Sequence, residues 1–361
     1  MCLRTLSLWV LAFQLAGCAI NPPARAIVVE AGTAVREIPA PPPDAEGRQL
    51  ENAPHLMDAA MMQELRERVE RFKGLDDQSI MRTMDFMGPN YTWYLSNQSL
   101  RGDIGVLILT HGFSEHGDRL MGKRLRAIAD DRPTALAAGM SMMTSDHVQL
   151  ALNNLAAAGA KDIIVVPAIS TRFNSMMRQW NYIFDVAQEP QYASVPRVVP
   201  PTRLHIVSPL EDHELVGEIL LQYAAEISTE PRREEVIIVA HGPVGADDNQ
   251  TQLAMLGRLA DYIDERTGYA GVSAFTLQDD AALAVRAANV RALRDKVRAA
   301  NEAGHEVLVV TNLLGTRTVQ GGLRRDLKGL NYKFNSKGLI QHPNFMRWIE
   351  WSVATAAADI E

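Results

Sequence analysis

The chain repeats itself, and that repeat restricts its fold more than any other feature of its 361 residues. GVLILTHG at 105–112 returns as EVIIVAHG at 235–242, 130 residues later. AAAGAKDIIVVPAISTR at 156–172 returns as NEAGHEVLVVTNLLGTR at 301–317. More loosely, RLHIVSPLEDHELVGEIL at 203–220 returns as GLIQHPNFMRWIEWSV at 338–353. Three matches in one order read as a duplication. Each copy runs from a short apolar strand into a His-Gly loop, through helical stretches to a strand ending in a Thr-Arg loop, then to a last strand and helix. Short buried strands alternating with helices predict an α/β fold with mostly parallel sheets. The expected architecture is two similar α/β domains, 100–229 and 230–361, with a cleft between them and both His-Gly loops at its mouth.

The residues before 100 divide into three. Arg4 precedes LSLWVLAFQLAGC, an apolar segment ending in small residues, which reads as a secretory signal. At about a dozen residues it is too short to span a bilayer comfortably. Leu15-Ala16-Gly17-Cys18 resembles the bacterial lipobox. Residues 1–18 are therefore expected to be a lipoprotein signal peptide with Cys18 acylated, and several acyl chains would hold the protein on a membrane. An ordinary signal peptide with a chance cysteine is the alternative. Ala19 stands where an aspartate would favour the inner membrane, so the expected location is the outer membrane, facing the periplasm. Residues 19–57 contain NPPARA and EIPAPPPDAEG and show no hydrophobic period, the composition of a tether. Residues 58–99 form a lead-in opening with a helix, MDAAMMQELRERVERFKGL, closed at Gly74. The only other cysteine, Cys2, would leave with the signal. A Cys nucleophile or Cys-based metal site is thereby excluded. A net charge of -7 argues against nucleic acid as a partner.

Two families write a line like LTHGFSEHGDRL at 109–120. It looks like the HG-x-x-EH stretch of monoglyceride-lipase-like α/β-hydrolases, which also need a G-x-S-x-G nucleophile elbow. The nearest match, Gly139-Met140-Ser141-Met142-Met143, lacks the closing glycine, and a hydrolase leaves the second His-Gly loop unexplained. The duplication fits a different resemblance. Over roughly 103–355 the chain resembles the class II tetrapyrrole chelatases of the sirohydrochlorin cobaltochelatase type, whose two α/β halves each open with a strand ending in His-Gly. The likeness includes MTSDHVQLALNNLAAAGAKDIIVVP (143–167) and extends to SAFTLQDDAALAVRAANVRALRDKV (273–297).

That resemblance implies insertion of a divalent metal, Co, Ni or Fe, into a sirohydrochlorin-like tetrapyrrole. Neutral imidazole can take a pyrrole proton or ligate such a metal. His111, His116 and His241 are the candidate metal ligands, with His111 and Glu115 the candidate catalytic pair. A carboxylate such as Glu115 can orient an imidazole or accept a proton. Arg172 and Arg317, in matching loops, would pair with the ring's acidic side chains. One departure stands out. The family places a further histidine just past the V-V-V-P strand, and neither PAISTRFNSMM nor TNLLGTRTVQGG contains one. His116 is the candidate substitute and His147 a weaker one, and a periplasmic tetrapyrrole- or metal-binding protein without turnover remains the alternative. Plainer roles also stand beside each residue. His111 and His241 can be buried turn-capping histidines, His116 and His147 surface residues, and the two arginines carboxylate partners within the protein. His205, His213, His305 and His342 receive no role, and the methionines at 140–143 and 176–177 read as packing.

Overall fold

A computed structural model describes residues 25–51, 57–85, 88–315 and 318–361. The signal segment with Cys18, and Arg317, lie outside the described residues. Within them, eleven strands form two sheets. The first contains β1 (Ile27–Val29), β2 (Arg48–Leu50), β3 (Tyr91–Tyr94), β4 (Ile104–Leu109), β5 (Thr134–Ala138), β6 (Asp162–Pro167) and β7 (Arg203–Ile206). The second contains β8 (Glu234–Ala240), β9 (Gly271–Thr276), β10 (Glu306–Asn312) and β11 (Lys333–Phe334). Helices α1 (Ala59–Arg68) and α2 (Asp77–Asp85) precede the repeat. The first unit carries α3 (Ser114–Ala129), α4 (Asp146–Ala157), α5 (Ser175–Ile183) and α6 (Glu214–Ala225). The second carries α7 (Ala246–Asp264), α8 (Leu283–Glu302), α9 (Thr318–Asp326) and α10 (Pro343–Ile360).

The duplication is visible in the topology. The first sheet has a parallel centre, β7-β6-β4-β5, and the second runs β11-β10-β8-β9, parallel throughout. Each unit places its first strand between its second and third, with the fourth beyond the third. Every residue of β4 is buried, as an apolar run demands when helices cover both faces of a parallel sheet. Successive residues of β3 show the two faces. The Thr92 hydroxyl donates to the His147 carbonyl on α4, whereas the Trp93 ring lies against α3, where a Cβ at Gly122 would come within 2.1 Å of it.

The tether expected over 19–57 is corrected where it is described. Ile27–Val29 pairs antiparallel with β7 and Arg48–Leu50 pairs antiparallel with β3, so this segment closes both edges of the first sheet. Arg36 fastens it, donating to Ser145 Oγ and to the Arg197 carbonyl, each at 3.1 Å. Pro39, Pro41, Pro42 and Pro43 fall between these strands, and a three-residue edge strand is too short to leave a hydrophobic period. The lead-in also contributes a strand, since β3 pairs antiparallel with β5.

The last helix of each unit crosses over. α6 packs on β10 and α10 on β6, and the two helices pack on each other. His213 and His342 head them, each Nδ1 accepting the N–H two residues on at 3.1 Å. The His213 ring meets Trp351 of α10 at 4.4 Å, and the His342 ring meets Tyr223 of α6 at 5.6 Å. Val236, Ile238 and Ala240 of β8 therefore join a core shared with the first unit, while Ile237 and Val239 face a separate cluster with Leu293, Val297, Leu323 and Leu327.

Candidate functional site between the His-Gly loops

His111 follows the end of β4 and His241 the end of β8, at the carboxyl ends of parallel strands, where open α/β sheets bind ligands. The imidazoles are held alike. Nδ1 of His111 lies 2.8 Å from the Gly112 carbonyl, and Nδ1 of His241 lies 3.0 Å from the Gly242 carbonyl. A carbonyl oxygen only accepts, so each neutral ring carries its proton on Nδ1 and its lone pair on Nε2. Nε2 is the atom left for a metal or a proton. Gly242 sits at φ +80°, and a Cβ there would come within 2.8 Å of Thr276.

The two rings are close enough that charge on His241 disfavours charge on His111. Their own surroundings differ. Burial, aided by His241, holds His111 below the ordinary histidine value despite the Gly112 carbonyl. Burial pushes His241 the same way but is outweighed by Asp280, Asp279 and the Gly242 carbonyl, so His241 lies above that value; Arg71 works against the rise. The His241 side chain is hemmed in by protein, yet 26% of it is open to solvent, with Nε2 3.6 Å from Asp280 Oδ2. Asp280 in turn meets Arg71 Nη1 at 3.4 Å. Burial and the Asp280 charge raise the Tyr192 phenol, which is bonded to Ser175.

Phe113 forms the wall on the other side. Its ring tilts against His111 at 4.4 Å between centroids and abuts Gly315 of the second unit, where a Cβ would come within 3.1 Å. The Phe113 N–H is held by buried Asp118 at 2.7 Å. Asp118 thereby shapes the turn into α3.

The remaining sequence candidates fall as follows. Glu115 lies in the first turn of α3, its side chain outside the described part, and His116 beside it is exposed. Arg172 spends Nε and Nη2 on the Glu211 carboxylate. His147 is buried rather than superficial, its Nδ1 3.7 Å from Glu51 Oε2. The hydrolase alternative fails, because Ser141 is fully buried and its hydroxyl donates to the Thr110 carbonyl at 2.7 Å. Such a serine cannot attack a substrate. Among the described residues no three His, Cys, Asp or Glu side chains gather closely enough to enclose a metal ion. Sequence reasoning missed Asp280, Arg71, Tyr192 and Phe113. The only signal was the Asp279-Asp280 pair inside the quoted SAFTLQDDAALAV stretch.

No family model matches the sequence, and no curated protein does. Solved structures do share its shape. SirB from Bacillus subtilis, in a structure with Fe3+, matches with a TM-score of 0.54 at 15% identity, over 72% of this chain and 97% of that one. DR2241 from Deinococcus radiodurans, a multi-domain protein with structural similarity to chelatases and two additional novel domains, gives 0.44 at 16% identity, over 71% of this chain and 56% of that one. The likeness to SirB establishes the fold: two α/β units with mostly parallel sheets, as in SirB.

Proposed function

We propose that the protein handles a divalent metal and a tetrapyrrole of the sirohydrochlorin class in the space between its two His-Gly loops. One observation carries the reading. Equivalent strand ends deliver two imidazoles to neighbouring positions, each with Nδ1 tied to a carbonyl and Nε2 left as the reactive atom. Nitrogen donors of this kind suit Co2+, Ni2+ or Fe2+ as substrate. Inserting one divalent ion into the ring releases two pyrrole protons, and Nε2 of a neutral imidazole can accept one. SirB, which shares the fold, binds Fe3+ in its structure, and this supports iron among the three.

A non-catalytic carrier is the second reading, favoured by the lack of a third metal donor among the described residues and by the engagement of Arg172 with Glu211. Incubating the protein with sirohydrochlorin and each metal separates the two by absorption spectroscopy. Metallation faster than in the protein-free control means insertion, a shifted spectrum without metallation means a carrier, and no change removes both. The LAGC sequence supports a lipid anchor at Cys18 facing the periplasm, and Ala19, where an aspartate would favour the inner membrane, supports the outer one. Cys18→Ser should release the protein from membranes or leave the precursor uncut; unchanged fractionation rules the anchor out.

A further inference from the structure

We infer that Arg71 anchors a carboxylate of the incoming ring and is held beside His241 by Asp280 until the ring arrives. The inference rests on the tetrapyrrole reading above and assigns the substrate's charged rim to a residue outside the duplicated units. Arg71 lies in the short 3-10 turn that follows α1. The helix is fixed upstream of it. Glu64 accepts the N–H and hydroxyl of Ser194, and Arg68 donates to the Pro190 carbonyl at 3.0 Å. The turn therefore carries the guanidinium from the first unit's side to the loop after β9 in the second.

What Arg71 does there is distinctive. Other arginines in this region are committed: Arg172 to Glu211, Arg178 to Asp248, and Arg286 to both Asp279 and Asp326. Among the described residues Arg71 makes one polar contact, 3.4 Å to Asp280 Oδ1, with its side chain 41% exposed. A guanidinium has five N–H donors in a planar fork that fits a carboxylate through two parallel bonds. A single long contact leaves most of that capacity open, next to an imidazole that the ring would have to approach. Asp280 is shared as well, since its other oxygen faces His241 Nε2 at 3.6 Å. A ring carboxylate bound to Arg71 would free Asp280 to serve His241 alone. Rings of the sirohydrochlorin class carry several carboxylates at their rim, the chemistry such an arginine selects.

The test is equilibrium binding of metal-free sirohydrochlorin, and separately of Co2+ alone, to the full-length protein in detergent. Arg71→Gln should weaken ring binding about tenfold or more, the scale of a lost charge-assisted pair. Arg71→Lys should recover part of it, since a point charge replaces the fork. Co2+ affinity should not fall in either, because Arg71 is a cation beside the site and supplies no metal donor. Ring affinity insensitive to Arg71→Gln overturns the inference. A parallel loss of Co2+ affinity does so too, because Arg71 would then merely hold the site together. Wild-type protein that binds no ring instead removes the functional reading beneath it.

Discussion

His111 and His241 look equivalent in sequence, and the neighbour that most separates them in the structure is Asp280. Asp280 lies four residues past the end of β9, and the position four past the end of β5 is Met142, which is buried. Among the described residues, one imidazole therefore has a carboxylate beside Nε2 and the other does not. The direction of each pKa makes this testable. His111 lies below the ordinary value of 6.5, so the native state refuses a proton that the unfolded chain takes, and its contribution to stability falls as pH drops through that value. His241 lies above it, so its contribution is complete below 6.5 and is lost as pH rises through the native value. In a proton NMR titration of the ring signals, His111 should have its midpoint below 6.5 and His241 above. Proton and metal compete for the same lone pair. Co2+ binding that survives His241→Ala should therefore persist to lower pH than binding that survives His111→Ala. His111→Ala should cost the most affinity, and His116→Ala should weaken binding only if that exposed ring supplies a ligand. Reversed midpoints for the two rings would contradict the assigned surroundings. The histidines themselves were legible as strand-end residues. Asp280 was not, because its reach to His241 depends on β9 lying beside β8 in the register Ala240 to Thr276.

At the scale of elements, strands with apolar residues on both faces were readable because burial writes a continuous run, as in β4, β6 and β8. The short edge strands β1 and β2 were not, since they are held by ladder bonds and Arg36 rather than by a hydrophobic period. Pro-rich composition pointed to a tether, and pairing overrode it. The β8-to-α7 connection also gives a sharp test of the His-Gly turn. Gly242→Ala places a methyl within 2.9 Å of the Gln278 N and 2.8 Å of Thr276 Cβ, in a left-handed conformation. Denaturant unfolding should show a loss of about 1–3 kcal/mol, the range for backbone strain, and Co2+ binding through His241 should weaken with it. Gly257 in the middle of α7 has nothing within 4 Å of a built Cβ, so Gly257→Ala should be neutral or stabilise by up to about 1 kcal/mol. Equal effects at the two sites would mean that the turn beneath His241 is not constrained.

For the whole molecule, the exchange of α6 and α10 decides whether the two units are separable. The loose third repeat announced that each unit ends in a helix, but a sequence match cannot say which sheet that helix covers. Here each covers the other's, and Arg124 of α3 tightens the crossing by donating to the carbonyls of Ile340, Gln341 and His342. The first unit thus relies on residues at the far end of the chain. Phe345, Trp348, Ile349 and Val353 of α10 are each at most 4% exposed in the shared core. Burying side chains of that size contributes about 1.5–3 kcal/mol each. Four of them approach the ~5–15 kcal/mol by which a whole domain is stable. A chain ending at His342 should therefore lose cooperative unfolding and bind a hydrophobic dye, even though every strand is still present. Trp348→Ala, leaving the helix in place, should cost about 3–5 kcal/mol and keep the fold. The pair separates two explanations: if the halves are independent modules, the truncated chain will still unfold cooperatively, with the first unit intact and only the second unit's packing disturbed. A single transition lost in the truncation and merely lowered in Trp348→Ala is the signature of two units that complete each other, and it ties the spacing of His111 and His241 to the helices that cross between them.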